Sequence, residues 1–346
     1  MPFDTRPRCA RTLLRASGIL CALLFAVSTA HADPTVLKFA FTAPPTTWVN
    51  TMGAEPWAKE VEAEAAGALE IKFFYAGALG NAGNIYDRTI NGVAQIAFNS
   101  FGELSSQFPK TGVVALPFET KNCTESALAL WRIYKSGVVA DEYTKVHPLS
   151  LFAFPDFVLT TKKSITKMSD MDGVKISIGS RVVGQSVQLL GGVPIALKPS
   201  DVYQAVQRGV VDGMILSWAG ISVYKVDELT KYDLDMPLGV GPGFIFMNKE
   251  AYASLPEAGR RAIDKYSGDA LTERLAKACF IAGEENRPNL ISRGHTISVL
   301  TPQESERWKA RVAPITEEWV KTTPDGAKVL AAFRAEVARI KAGGSL

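Results

Sequence analysis

Residues 173–232 constrain the fold more than any other part of the chain: GVKISIGSRVVGQSVQLLGGVPIALKPSDVYQAVQRGVVDGMILSWAGISVYKVDELTKY. The pattern predicts a β-rich run over 174–178, a helix over 182–191 stopped by glycine, and a strand over 193–197. A second helix over 200–209 and an apolar strand over 213–216 follow. Strands alternating with helices of about ten residues read as βαβ units around a parallel sheet. In such sheets ligands sit beyond the carboxyl ends of the strands.

The first 32 residues do not belong to that fold. Arg6, Arg8, Arg11 and Arg15 form a basic start, residues 19–27 an apolar run, and Ala30-His31-Ala32 an A-x-A cleavage signal. The apolar run is too short for a permanent bilayer span. The expected mature chain starts at Asp33 and is exported and soluble. The whole chain holds 38 lysines and arginines and 35 acids; the leader takes four and one, which leaves 34 of each. That balance lacks the basic face a nucleic-acid partner requires. Cys9 and Cys21 leave with the leader. Cys123 and Cys279 remain, and an exported compartment permits a bridge between them. Two buried thiols in separate helices is the reading preferred from sequence.

The remaining 314 residues of the 346 suffice for two α/β lobes. Residues 36–42, 69–75 and 96–99 read as strands, with helices over 50–64 and 85–91 between them. Leu116-Pro117-Phe118 is expected to close the edge of this sheet, and a helix over 124–136 follows. Residues 150–161 read as one long strand crossing to the second lobe. Residues 243–248 read as a strand returning to the first. A long helix candidate covers 268–292, with Pro288 set to kink or end it. A last strand over 297–300 precedes a helical tail over 302–341, interrupted near 322–324. Two lobes joined by at least two crossings imply a hinge and a cleft.

Enzymatic signatures are scarce. The chain has no G-x-S-x-G, H-E-x-x-H, P-loop, G-x-G-x-x-G or C-x-x-C. His147 and His295, the two histidines after the leader, read as surface or loop residues. Asn122-Cys123-Thr124 matches a glycosylation sequon and reads instead as a helix cap at Asn122 or Thr124. Neither a cofactor nor a metal is expected.

Several local runs, taken in order, resemble the TRAP-transporter solute-binding proteins, the DctP-like family. Residues 37–40 resemble its first strand. Tyr75-Ala76-Gly77-Ala78-Leu79-Gly80 is similar to its "YPxGxLG" loop, residues 92–97 to "GxxxxA", and Leu116-Pro117-Phe118 to "LPF". Asp172-Gly173-Val174-Lys175-Ile176 resembles "LKGLKIR", and residues 202–213 resemble "EVYxALQxGVVDG". The resemblance implies an α/β, two-lobed periplasmic binding protein of type II-like architecture, with an interlobe cleft and a long hinge-spanning helix. Residues 33–156 plus about 246–285 would form lobe I, and 157–245 plus about 286–346 lobe II. It also implies a periplasmic protein that captures a small organic acid and delivers it to TRAP-type integral membrane permease subunits.

The chain departs from the family at its ligand anchors. Many members hold the ligand carboxylate with an arginine directly after "KI", where two parallel N–H donors match the carboxylate plane. Ser177 stands there. By spacing, Phe157 replaces a second family arginine on the crossing strand, and Ile215 and Leu216 replace the polar pair after Asp212-Gly213. The ligand-binding candidates are therefore Trp48, Asn99, Ser100, Phe101, Phe157, Ser177, Arg181, Ser217 and Trp218. Arg181 and Lys175 are the nearest cations, and the helix start over 179–182 offers free N–H groups. The aromatic content suits a ring-bearing or partly apolar organic acid. Competing readings are a short dicarboxylate or keto acid, an exported hydrolase or isomerase on the same scaffold, and an interaction protein with a filled cleft.

Overall fold

The computed structural model describes residues 33–343; the leader and its expected cleavage point lie outside the described residues. From the amino end run β1 (Thr35–Phe41), α1 (Glu55–Glu64), β2 (Leu69–Phe74), α2 (Ile85–Ile90), β3 (Ile96–Ser100), α3 (Cys123–Lys135) and β4 (Val146–Ala153). Next come β5 (Phe157–Thr161), β6 (Lys175–Ile178), α4 (Arg181–Leu189), β7 (Val193–Ala196), α5 (Pro199–Gln207), β8 (Gly213–Ser217), α6 (Trp218–Val223) and β9 (Tyr232–Asp235). β10 (Pro242–Asn248) precedes α7 (Lys249–Ala253), α8 (Glu257–Tyr266), α9 (Asp269–Glu284), α10 (Asn286–Ser292), β11 (Thr296–Val299), α11 (Pro302–Thr322) and α12 (Gly326–Lys341).

These elements form two sheets, ordered β2-β1-β3-β10-β4 and β11-β9-β5-β8-β6-β7. The architecture is the two-lobed α/β one. Each sheet is mixed rather than purely parallel. β10 runs antiparallel to β3 and β4, and β5 runs antiparallel to β8 and β9. The antiparallel strands follow from the crossings: β5 and β10 each begin where a segment arrives from the other sheet.

The helices start where the sequence supplies a cap. Asn122, Ser180, Ser217, Asn248 and Thr301 each accept a backbone N–H from the first turn of α3, α4, α6, α7 and α11. Asn122 is thus the cap at the sequon. The first core is built from rings, with Phe41–Phe98 and Phe244–Phe246 centroids 4.3 Å apart. Burying each such ring stabilises the fold by about 1.5–3 kcal/mol. The second core gathers Val158, Val202, Val206, Met214, Trp218 and Leu290. The sequence also predicts Val202, Ala205 and Val206 as the buried face of α5; Val202 and Val206 are fully buried, and Ala205 packs against them partly buried.

Several expectations are corrected. The crossing strand is broken in two at Phe154-Pro155-Asp156, because Pro155 has no N–H to continue a ladder. Leu116-Pro117-Phe118 closes no sheet edge. Phe118 has a φ of 64° and donates its N–H to Pro237 O at 2.7 Å, bracing the second crossing, residues 236–241. His295 is in a loop but buried, with Nδ1 2.7 Å from Asp233 and Nε2 3.0 Å from the Asp227 carbonyl. Cys123 and Cys279 form a disulfide between α3 and α9, with Cα atoms 6.4 Å apart. The thiol reading failed because helices 156 residues apart in sequence pack side by side.

The long helix divides as Pro288 demands. α9 ends at Glu284, four residues before the proline, where the ring excludes the usual carbonyl bond. α9 packs on α3 and β4 beside the first sheet and reaches α6 at its end; α10 continues against α6. α11 lies on α4, whereas α12 lies on α3.

Candidate functional site

The strand directions locate the cleft. β1, β2, β3 and β4 are parallel to one another and end on one edge of the first sheet, where β10 begins. β6, β7 and β8 end on one edge of the second sheet, where β9 also ends and β5 begins. The segments 154–156 and 236–241 join these two edges, so the edges lie close together. That is the carboxyl-end position where open α/β sheets bind ligands.

On the first-sheet side, Trp48 follows β1 and is half-buried. Its ring meets Phe152 and Phe154 edge-on, at centroid distances of 5.9 and 6.0 Å. It leads into a π-helical turn, Val49–Ala54, a form that recurs at functional sites. Asn50 in that turn is buried. Its Nδ2 donates to Pro45 O at 2.7 Å and to Glu55 Oε1 at 3.0 Å. The Tyr75 hydroxyl donates to the same Glu55 oxygen at 2.9 Å. Burial, with the Glu55 carboxylate beside it, pushes the Tyr75 phenol up to about 12, so it remains a neutral donor. This network fixes the loop that carries Trp48.

Asn99, Ser100 and Phe101 divide by burial. Asn99 is fully buried; its Nδ2 donates to Ala82 O at 2.7 Å and its Oδ1 faces the Thr42 hydroxyl at 3.4 Å. It therefore ties two loops together. Phe101 lies in the first core, with centroids 4.4 Å from Phe244 and 4.9 Å from Phe108. Ser100, between them, is half-buried at the end of β3.

On the second-sheet side, Phe157 opens β5 opposite Ser217, the last residue of β8, and both are half-buried. The Ser217 hydroxyl accepts the Gly220 N–H at 3.3 Å, holding α6 at that edge. Ser177 lies on β6 between Met214 and Ile195, only 2% exposed. Trp218 is equally buried. Its ring carries the Arg287 guanidinium at 4.7 Å, and its carbonyl accepts from Asn286 Nδ2 at 2.6 Å.

Of the cations, Arg181 is exposed at the first turn of α4. Lys175 is exposed at the opposite end of β6 from the cleft edge, about 10 Å of strand away. One of the free N–H groups at the α4 start is already taken, since the Ser180 hydroxyl accepts from Val183. The structure thus brings Trp48, Ser100, Phe157 and Ser217 to the facing edges, with Arg181 beyond the end of β6. Asn99, Phe101, Ser177 and Trp218 sit deeper. Two residues were missed from sequence. Phe154, half-buried in the first crossing, is the partner of Trp48; its place beside Pro155 was the available signal. Arg287 stands directly before Pro288, but nothing local announces its stack on Trp218. Among the described residues no group of His, Cys, Asp and Glu side chains is placed to hold a metal ion.

Comparison with known proteins places the chain in a family and a fold. The profile described as bacterial extracellular solute-binding protein, family 7 (DctP), matches residues 39–322. The C4-dicarboxylate-binding periplasmic protein DctP of Rhodobacter capsulatus is 27% identical over 340 residues, covering 95% of this chain and 99% of its own. A TRAP solute-binding protein from a marine metagenome, specific for aromatic acid ligands and crystallised with 3-hydroxybenzoate, superposes with a TM-score of 0.81. It is 25% identical, covering 89% of this chain and 99% of its own. A TRAP solute-binding protein from Rhodoferax ferrireducens, in complex with copurified benzoate, gives 0.80 at 26% identity, covering 90% and 100%. By sequence profile, by two-lobed fold and by strand-end cleft, this chain belongs to the family 7 extracellular solute-binding proteins, the solute receptors of TRAP transporters.

Proposed function

We propose that this receptor binds a small aromatic acid between the facing sheet edges, closes on it about the crossings, and presents it unchanged to TRAP-type permease subunits from the periplasm. The observation that carries the ligand class is the composition of the edges, Trp48 and Phe154 on one side and Phe157 on the other; the resemblance implies an arginine in many members at the position of the deeper Ser177. A planar ring gains from such walls by burial and by edge-on packing, about 0.5–1.5 kcal/mol per ring pair beyond area. Arg181 and the remaining N–H groups of the α4 start would hold the carboxylate. The aromatic-acid relative and the benzoate-bound relative support the same class. The moving parts are 33–156 with about 246–285, and 157–245 with the segment from about 286, α12 being strapped across to α3.

A thermal-shift panel tests this. Benzoate, 3-hydroxybenzoate and mandelate at 100 times Kd would each add about 2.7 kcal/mol to stability by mass action. Phe157→Ala is expected to weaken benzoate binding about tenfold, the equivalent of roughly 1.4 kcal/mol, while leaving the unliganded melting temperature within a few degrees. Stabilisation by succinate or malate alone would overturn the ligand class, and chemical turnover of any of these acids would overturn the receptor role.

A further inference from the structure

The three central connections between the sheets each carry a carboxylate. Asp156 ends the first crossing, Asp235 immediately precedes the second, and Glu284 closes α9 at its join with α10. They lie together. The last turn of α9 packs on the first crossing, since a Cβ on Gly283 would stand 3.7 Å from Pro155 Cβ. Asp235 and Glu284 share a single cation: Arg287 on α10 reaches Asp235 at 3.4 Å and Glu284 at 2.9 Å while stacked on Trp218.

Asp156 has no such partner among the described residues. What faces it is the Cys123 N–H at the start of α3, donating at 3.3 Å, and the charges of Asp235 from β9 and Glu284 from α9. Burial, followed by those two like charges, pushes its carboxyl up to about 7, against the opposing pull of the Cys123 N–H. Asp235 is also raised, by burial first and by Glu284, with Arg287 opposing.

We propose that Asp156, Asp235 and Glu284, with Arg287 as counter-ion to the latter two alone, form a hinge device in which one proton on Asp156 holds the connections together and its loss drives them apart. Two ionised carboxylates matched by one guanidinium are tolerable in a partly buried cluster; a third is not, because like charges at low dielectric repel strongly. The device reads pH at the pivot rather than at the ligand, and its link to solute capture rests on the receptor reading above. The sign follows from the raised carboxyl. The compact hinge is favoured below about 7, where Asp156 keeps its proton, and loses that support as pH rises through 7.

The test uses the mature protein without its leader, as wild type, Asp156→Asn and Glu284→Gln. Small-angle scattering without ligand is expected to show a larger radius of gyration at pH 8 than at pH 6 in the wild type, with a midpoint near 7. Asp156→Asn should keep the pH 6 profile throughout, and Glu284→Gln should move the midpoint downward. Benzoate stays ionised across this range, and linkage gives about tenfold weaker binding at pH 8 than at pH 6 in the wild type alone. A wild-type profile unchanged with pH, or a pH response surviving in Asp156→Asn, would overturn the hinge device. Absence of benzoate binding at both pH values would overturn the ligand class instead, and the scattering would still decide the hinge.

Discussion

Gly213→Ala is expected to destabilise the second lobe by about 3 kcal/mol or more, a severe effect for one methyl group. Gly213 pairs with Thr161 across the β5–β8 ladder, and its backbone has no positive φ. A Cβ there would lie 2.0 Å from the Thr160 carbonyl oxygen and 2.8 Å from the Thr161 methyl. The first of these is backbone and cannot rotate away, so β8 must separate from β5, taking Ser217 and Phe157 with it. Gly209, in the same motif, makes an informative contrast. It follows α5 with a φ of +73° and has nothing within 4 Å of its would-be Cβ. Gly209→Ala is expected to lose only about 1 kcal/mol, through left-handed backbone strain. Urea denaturation of the two variants measures both; a loss below 1 kcal/mol for Gly213→Ala would refute the close-approach explanation.

The motif over residues 202–213 thus shows what was legible and what was not. The helix stop at Gly209 and the buried Val202 and Val206 follow from local chemistry and from period, and both are observed. Gly213 opens the expected strand over 213–216, but nothing local restricts it to glycine, because the strand that forbids its side chain lies more than 50 residues earlier. The cleft residues divide in the same way. Trp48 and Trp218 look alike in sequence, each in a loop or strand end. Long-range packing puts one at the cleft edge and buries the other beneath Arg287. Phe101 was drawn into the core by Phe108 and Phe244, contacts that no local pattern encodes.

The Cys123–Cys279 bridge carries the second large expectation. Cys123→Ser with Cys279→Ser is expected to lower stability by about 3–5 kcal/mol, since the bridge closes a loop with a sequence separation of 156 in the unfolded chain. The site makes a further consequence specific. Cys123 opens α3, where its N–H holds Asp156, and the next residue, Thr124, donates its hydroxyl to Ala276 O of α9 at 3.0 Å. The bridge therefore fixes α9 against α3 one turn before Glu284. Chemical denaturation with and without reductant measures the effect. A difference below 1 kcal/mol would mean that packing between α3 and α9 suffices alone. Formation of the bridge accords with an exported protein, where thiols oxidise and remain so.

The central claim, capture of an aromatic acid between the two sheet edges, is tested most directly by titration calorimetry of the unliganded receptor with benzoate and with succinate. Saturable one-to-one binding of benzoate at micromolar Kd or tighter, with no heat from succinate, is the result these edges predict. Saturable binding of succinate with none of benzoate would contradict it.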